Sequence, residues 1–265
     1  MSELRRNIVW IASYPKSGNT WLRFMLCSLL YGELHSAAAV AQLAPDIHEA
    51  GEALDVSAPA LLVKTHYLTA RLPFIERTSA AIYLVRDPVD VFTSNLHYYG
   101  RRTGNAAGSD ETLARYLEEF IQHRGDPHWQ RLGMGSWDEN VRSWLEERHS
   151  FPVIRVRYED LAGDPRRVCT ELARLVRPDS GAADIERAVT NSSFARLREI
   201  EAADIRHQRV GIFYKPYLQP SIAAGLRFMR SGTVGDAAAS LDGEQIARLR
   251  APFRPLLEQL GYSLP

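Results

Sequence analysis

The stretch WIASYPKSGNTWLRF, residues 10–24, joins an apolar run to an amphipathic one through a short polar loop. Residues 8–13 have the apolar character of a buried strand, and from Thr20 onward apolar residues recur at helical spacing. Gly32 then ends the pattern as a helix C-cap would. The loop therefore leads from a strand into a helix N-terminus, whose unpaired N–H groups attract anions. Since Lys16 adds a positive charge in this loop, the junction is a candidate anion site.

Composition limits the class of protein. The chain has 265 residues, with 32 acidic and 32 basic side chains, and no Pro/Gly/Ser-rich linker, so we expect one domain over residues 1–265. A formal charge of zero gives no reason to expect nucleic acid or a membrane surface as a partner. Cys27 and Cys169 lie in apolar helical patterns and are expected to be buried free thiols. With no secretory or membrane-spanning segment in the sequence, we expect a cytoplasmic protein.

Short apolar runs alternate with helical patterns along the chain. This alternation predicts an α/β fold with a central parallel sheet and helices on both faces. The segments 36–60 and 103–110 are interpreted as irregular surface insertions, and 240–262 as a last helix disturbed by Pro252 and Pro255. The predicted strands are 8–13, 60–65, 80–85 and 152–157, and the predicted helices are 20–31, 88–99, 111–124, 136–148, 165–176 and 183–190.

Chemically active side chains follow each predicted strand. Lys64 and His66 end the second strand and project to the same side, because side chains alternate along a strand. Arg86 follows the third strand, before a helix that Asp87 would cap, and Tyr158 follows the fourth. In open parallel sheets, ligands bind at the carboxyl ends of the strands. We therefore expect these residues to form one site, which would bind an anion.

The loop around Lys16 is similar to a nucleotide-binding P-loop without having its motif. The motif of ATP and GTP hydrolases places lysine after a second glycine, whereas here Lys16 precedes Gly18. We find no carboxylate set at the strand ends to hold Mg²⁺, so no metal is expected. Side chains and helix-terminal N–H groups would neutralise a transferred anionic group instead. His66 would be the general base toward an acceptor hydroxyl, because imidazole titrates near neutral pH.

Several patches of the sequence resemble, in order, the cytosolic-type sulfotransferases that use 3′-phosphoadenosine 5′-phosphosulfate (PAPS). The pattern around Trp137 and Trp144 also resembles the bacterial branch that sulfates glycopeptide antibiotics. The resemblance implies a P-loop NTPase-like fold and the transfer of a sulfuryl group to a hydroxyl, releasing 3′-phosphoadenosine 5′-phosphate (PAP). The patches are residues 14–21, 64–66, 86–94, 135–144, 156–160, 192–194 and 228–236.

The same resemblance implies roles for individual residues. Lys16 would hold the 5′-phosphate and the sulfuryl oxygens, Lys64 would assist the bridging oxygen, and His66 would deprotonate the acceptor. The remaining positions would bind the nucleotide. The implied contacts are Ser17, Gly18, Asn19 and Thr20 with the 5′-phosphate, Arg86, Ser94, Arg230, Ser231 and Gly232 with the 3′-phosphate, and Trp21, Tyr158, Ser192 and Phe194 with the adenine.

The sequence leaves the acceptor and two alternative functions open. A small-molecule or nucleotide kinase is disfavoured by the missing P-loop motif, and a non-catalytic PAP-binding module is disfavoured by the presence of Lys16 and His66. We expect a small-molecule acceptor, for which Tyr98, Tyr99, Trp129 and Phe213 suggest an apolar or aromatic character. Its pocket would be built from the segments 33–59, 67–75, 97–135 and 200–228, with 213–217 as a lid, and the oligomeric state stays open.

Overall fold

The computed structural model describes residues 6–103, 110–230, 232–235 and 241–263. Within these ranges the chain forms a four-stranded sheet in the order β2-β1-β3-β4, and every neighbouring pair is parallel. All four strands predicted from the sequence are confirmed to within two residues. The strands are β1 (Ile8–Ser13), β2 (Leu61–Thr65), β3 (Thr78–Val85) and β4 (Val153–Arg157).

The predicted helices are also confirmed, with small shifts at their ends. In the C-terminal segment, α13 stops before a 3₁₀ turn that contains Pro252, and Pro255 lies in the first turn of α14, as the prolines predicted. The helices are α1 (Asn19–Tyr31), α2 (Ala37–Leu43), α3 (Ile47–Ala50), α4 (Pro88–Thr103), α5 (Asp110–Gln122), α6 (Pro127–Arg131), α7 (Trp137–Leu145), α8 (Tyr158–Gly163), α9 (Pro165–Val176), α10 (Ala182–Asn191), α11 (Phe194–Arg206), α12 (Gln219–Ala223), α13 (Gly243–Arg250) and α14 (Arg254–Gln259).

Helices cover both faces of the sheet, as predicted. Trp10 and Tyr83 belong to one apolar cluster, which they share with side chains of α4, α5, α7 and α14. Ile11 and Ile82, their neighbours in the strands, belong to a second cluster with side chains of α1, α9 and α10. Successive strand residues point to opposite faces, so each strand contributes to both clusters. Cys27 and Cys169 are buried free thiols in the second cluster, as expected.

The expectation that the segment 36–60 is irregular is wrong. The segment 36–60 contains α2 and α3, whose N-caps are Ser36 and Asp46, and its Val40 is fully buried. These helices are too short to show an amphipathic repeat, so the pattern did not reveal them. Helix α11 was also missed, because its buried face carries Glu201 and Asp204 beside apolar residues. Of the segment 103–110, residues 104–109 lie outside the described residues.

Candidate active site

The carboxyl ends of the strands open onto a cavity of about 810 Å³. Because all four strands are parallel, the residues that follow them meet at one edge of the sheet. The cavity wall brings together most of the site residues predicted from the sequence. Those that line it are Lys16, Gly18, Asn19, Thr20, Trp21, Lys64, His66, Arg86, Ser94, Tyr158, Phe194, Arg230 and Gly232.

Three predicted residues do not lie in the cavity wall that the structure describes. Ser192 is fully buried and its hydroxyl donates to the carbonyl of Ala188 at 2.8 Å, so the structure does not bring this side chain to the cavity. Ser17 is also fully buried beneath the loop, but its Oγ has no hydrogen-bond partner within the described residues. Such an orphaned hydroxyl fits an anion bound in the loop. Ser231 lies outside the described residues.

The loop after β1 is held tightly against its own strand. The amide of Asn19 donates to the carbonyl of Ile11 at 3.0 Å and to Ser13 Oγ at 3.2 Å, which fixes the start of α1. Gly18 has a φ of +98°, and a Cβ there would come within 2.6 Å of the Tyr158 ring. Only glycine fits both conditions. The side chain of Asn19 thus supports the loop, and the first residues of α1, Asn19 to Trp21, line the cavity.

Positive side chains converge on the cavity around Lys16. Burial, followed by Arg101, Arg86 and Lys64, lowers the pKa of Lys16 to about 7. Its Nζ lies 4.5 Å from the centre of the Tyr98 ring, and no carboxylate forms an ion pair with it in the part of the chain that the structure describes. A cation crowded by other cations and rings is stabilised when a polyanion enters. The cationic side chains around Lys16 therefore fit a nucleotide with several phosphate groups.

Arg86 connects several parts of the cavity wall. Its guanidinium lies 4.0 Å from the centre of the Tyr158 ring and donates to the Thr233 carbonyl at 3.3 Å. Asp90, in the first turn of α4, accepts from it at 3.5 Å. Asp87 caps the same helix, as predicted, by accepting from the Val89 N–H at 2.8 Å. These contacts place a guanidinium at the start of α4, beside the 232–235 segment.

Aromatic rings form a second part of the wall. The Trp21 ring meets Tyr158 edge to face, with 5.7 Å between ring centres. Phe194 lies so close to Gly232 that a Cβ there would approach the Phe194 ring to 2.4 Å. Gly18 and Gly232 therefore allow the backbone to approach the Tyr158 and Phe194 rings closely. Flat apolar rings beside cations suit an adenine base joined to phosphates.

His66 and Lys64 line the cavity at the end of β2. His66 Nδ1 is 2.7 Å from the carbonyl oxygen of Ser13. Because a carbonyl only accepts, Nδ1 carries the proton, and Nε2 keeps a lone pair. Burial, with Lys64 and His48 next, holds the pKa of His66 well below its usual value, so the ring is neutral. Lys64 Nζ forms an ion pair with Asp46 at 2.7 Å.

The residues predicted to contact the acceptor lie partly in the cavity wall and partly in the core. Tyr98 and Trp129 line the cavity, whereas the Tyr99 hydroxyl donates to Asp126 at 2.9 Å. Phe213 is fully buried and stacks on Phe24, so the first part of the 213–217 segment is core and not a lid. Lys215 and Tyr217 of the same segment do reach the cavity.

Asp46, His48 and Arg101 line the wall and were not named as site residues, although they lie in the segments 33–59 and 97–135 from which the pocket was expected to be built. Asp46 is the N-cap of α3 and His48 lies in α3, in a segment interpreted as an insertion. The Pro45-Asp46 pair is a recognisable helix N-cap signal, which could have located α3 but not its contact with Lys64. Arg101 had no sequence signal, since nothing local indicates that it turns toward Lys16.

Two absences concern the described residues alone. Within the described ranges, no group of three or more His, Cys, Asp or Glu side chains is arranged to hold a metal ion. None of the helices seen there is both long and apolar enough to cross a bilayer.

The chain resembles known proteins over nearly its whole length. Residues 6–261 match the sulfotransferase domain family. Sulfotransferase 1A1 of Canis lupus familiaris is 26% identical over 96% of this chain and 84% of its own length, and sulfotransferase 2A1 of Rattus norvegicus is 27% identical over 85% and 76%.

Two solved structures have the same fold. Mouse sulfotransferase SULT7A1 complexed with PAP has a TM-score of 0.67 and 22% identity, covering 98% of this chain and 85% of that one. Retinol dehydratase in complex with androsterone and the inactive cofactor PAP has a TM-score of 0.68 and 18% identity, covering 99% and 84%. The P-loop-like fold expected from the sequence is confirmed, and the chain belongs to the PAPS-dependent sulfotransferase family.

Proposed function

We propose that this protein transfers a sulfuryl group from PAPS to a hydroxyl of a small-molecule acceptor and releases PAP. The observation that carries the proposal is a neutral His66, with its Nε2 lone pair available, in the same cavity as the cation cluster around Lys16. A base beside a polyanion site is what sulfuryl transfer to a hydroxyl requires. PAPS would supply the sulfuryl group and the leaving phosphate.

The loop after β1 would bind the phosphosulfate end. Lys16 neutralises charge that develops on the leaving phosphate, and Lys64 assists the bridging oxygen. The first-turn N–H groups of α1 and the Ser17 hydroxyl surround the 5′-phosphate, which supplies the partner that Ser17 Oγ lacks. Gly18, Asn19 and Thr20 form the remainder of this cradle.

The start of α4 and the segment from Arg230 would bind the 3′-phosphate. Arg86 and Ser94 would contribute from the start of α4, and Arg230 and the Gly232 backbone, which line the same cavity, would join them. Ser231, which lies outside the described residues, is included on the family resemblance alone. A guanidinium and a hydroxyl together recognise a phosphate by charge and by hydrogen bonds. Trp21, Tyr158 and Phe194 would contact the adenine, whereas Ser192 would act only by supporting the wall.

His66 would take the acceptor proton on Nε2 as the acceptor oxygen bonds to sulfur. The proton on Nδ1 stays there and is donated to the Ser13 carbonyl, which holds the ring in this tautomer and stabilises the imidazolium that forms. Burial favours the neutral ring before the reaction, so the base is ready at neutral pH. The proton then leaves to solvent with product release.

The acceptor would be a phenolic or natural-product hydroxyl compound. Tyr98, Trp129 and Met134 line its side of the cavity, and the exposed Val210 and Tyr217 extend the apolar wall toward the mouth. Such walls bind flat or apolar molecules. The two buried free thiols agree with action in a reducing cytoplasm.

Donor exchange tests this function. We expect turnover of phenols and alcohols with PAPS, none with ATP, and full activity in EDTA, because side-chain cations neutralise the anion. Turnover with ATP that is lost in EDTA and restored by Mg²⁺ would instead indicate a kinase. Tight PAP binding without turnover of any acceptor would indicate a binding module. Radiolabelled PAPS with a panel of phenols, alcohols and natural-product extracts distinguishes the three.

A further inference from the structure

The segment Pro45-Asp46-Ile47-His48, which leads into α3, lies against the end of β2. The Lys64 N–H donates to the Pro45 carbonyl at 2.8 Å, and Asp46 pairs with Lys64 as an isolated parallel bridge. The side chains meet as well, since Lys64 Nζ is 2.7 Å from Asp46 Oδ2. The backbone and the side chain of Lys64 are thus both held by the segment 45–48.

The same segment also contacts His66. The His66 N–H donates to His48 Nε2 at 2.8 Å, and Asp46 Oδ1 accepts from the His48 N–H at 3.0 Å. Burial, with Lys64 next, lowers the pKa of His48 to about 4, so its ring is neutral and Nε2 can accept. Asp46 therefore connects to Lys64 directly and to the backbone of His66 through His48.

We propose that Asp46 is a positioning residue for the transfer reaction, which holds the Lys64 ammonium and, through His48, the His66 backbone in their working places. The inference rests on the proposed function, in which Lys64 assists the bridging oxygen. It assigns a role to a segment that the sequence presented as a surface insertion.

The surroundings of Lys64 make the carboxylate necessary. Lys64 and Asp46 have side chains only 11% and 19% exposed. Burial lowers the pKa of Lys64, and Asp46 opposes that effect most strongly. Glu49 on α3 also raises the pKa of Lys64, whereas Arg23 on α1 lowers it. Lys16 on the loop and the neutral rings of His48 and His66 also face this region. Without Asp46, Lys64 would lose its proton at a lower pH.

Asp46→Asn keeps the size of the side chain and removes the charge. We expect kcat to fall by up to about 10²-fold, because misplaced catalytic groups cost that much, while the Kd of PAP changes less than about two-fold. The basic limb of the kcat pH profile should move about one to three pH units lower, since an opposite charge at this distance shifts a pKa by that amount. A purely structural role would not move that limb.

The matched control is Asp138→Asn. The Asp138 side chain is 11% exposed, forms an ion pair with the more exposed Arg124 at 2.8 Å and does not line the cavity. The Asp138→Asn variant should leave the basic limb of the kcat pH profile in place. Asp46→Glu retains the charge on a longer side chain, so it should lower kcat without moving the limb, and it serves if Asp46→Asn does not fold. A moved limb in Asp46→Glu would overturn the proposal.

A double-mutant cycle with Lys64→Met completes the test. If Asp46 acts mainly through Lys64, Asp46→Asn should reduce kcat clearly less in the Lys64→Met background than in the wild type, and the remaining loss is the part that acts through His48 on the His66 backbone. Additive losses, or an Asp46→Asn enzyme with unchanged kcat and profile, would overturn the inference and leave the proposed function intact. Wild-type protein without PAPS-dependent turnover would overturn the proposed function itself.

Discussion

Single side chains in this cavity depend on neighbours that set their protonation, and His66 is the most informative. His66→Ala should lower kcat about 10²–10⁴-fold, the usual contribution of general-base catalysis. The loss should be largest for aliphatic alcohols and smaller for acidic phenols, which ionise with less help. PAP affinity measured by calorimetry should stay the same, because the imidazole faces the acceptor. A variant with near-normal turnover of an unactivated alcohol would remove His66 from the role of base.

The lowered pKa of Lys16 predicts that nucleotide binding depends on pH. Its pKa of about 7 in the free protein should rise when phosphate groups bind beside it. The affinity for PAP is then highest below about pH 7 and falls as pH rises, by up to about tenfold per pH unit, until the bound-state pKa is reached. Calorimetry of PAP binding in two buffers of different ionisation enthalpy should show proton uptake between pH 7 and 9.

The control for that linkage is Lys16→Met. It should bind PAP more weakly and take up no proton in the same window, because no ammonium remains to titrate. Wild-type affinity that is constant from pH 7 to pH 9 would contradict the assignment of Lys16 to the phosphate site.

At the scale of elements, the close approach of the 232–235 segment to Phe194 is open to test. Gly232→Ala should weaken PAP binding, because its φ is +69° and a Cβ would lie 2.4 Å from the Phe194 ring, which must move. Gly225→Ala is the control, since its φ is +82° but a Cβ there meets nothing within 4 Å. Both pay the left-handed backbone cost of about 1–2 kcal/mol.

The difference between the two glycine variants isolates the steric term. We expect similar losses in the free energy of unfolding from backbone strain, with an added loss of PAP affinity only for Gly232→Ala. Equal PAP affinity in both variants, measured by titration calorimetry, would show that the 232–235 segment does not shape the nucleotide site.

The elements themselves differ in how far the sequence revealed them. The strand–loop–helix unit β1 to α1 shows a clear change from an apolar run to helical spacing, and its bounds were predicted to within one residue. Helix α11 was missed because Glu201 is buried there, where it accepts from the Phe228 and Met229 N–H groups at 2.6 and 2.9 Å. A buried carboxylate that accepts hydrogen bonds from a distant segment interrupts the apolar repeat by which the buried face of a helix is recognised.

At the scale of the whole molecule, the cavity joins parts of the chain that are far apart in sequence, from the Lys16 loop to Gly232. A ligand bound to both should stabilise the folded protein. PAP at a hundred times its Kd should add about 2.7 kcal/mol. For a protein of this size that corresponds to roughly 5–10 °C in Tm. Adenosine at the same concentration, which lacks both phosphates, should give almost no shift in scanning calorimetry, and an equal shift would contradict the anion site.

The sequence by itself determined the succession of the four strands and of the helices α1, α4, α5, α7, α9 and α10 along the chain, and it placed charged and titratable side chains such as Lys16, Lys64, His66 and Arg86 after the strands. These follow from local periodicity, capping and the rule that parallel strands end at one edge. Only the tertiary structure decided that Asp46 holds Lys64, that Arg101 turns toward Lys16 and that Ser192 faces away from the cavity. Arg101, for example, donates to the carbonyl of Phe213, which lies 112 residues away along the chain. Such contacts arise from the packing of distant segments, and no local pattern records them.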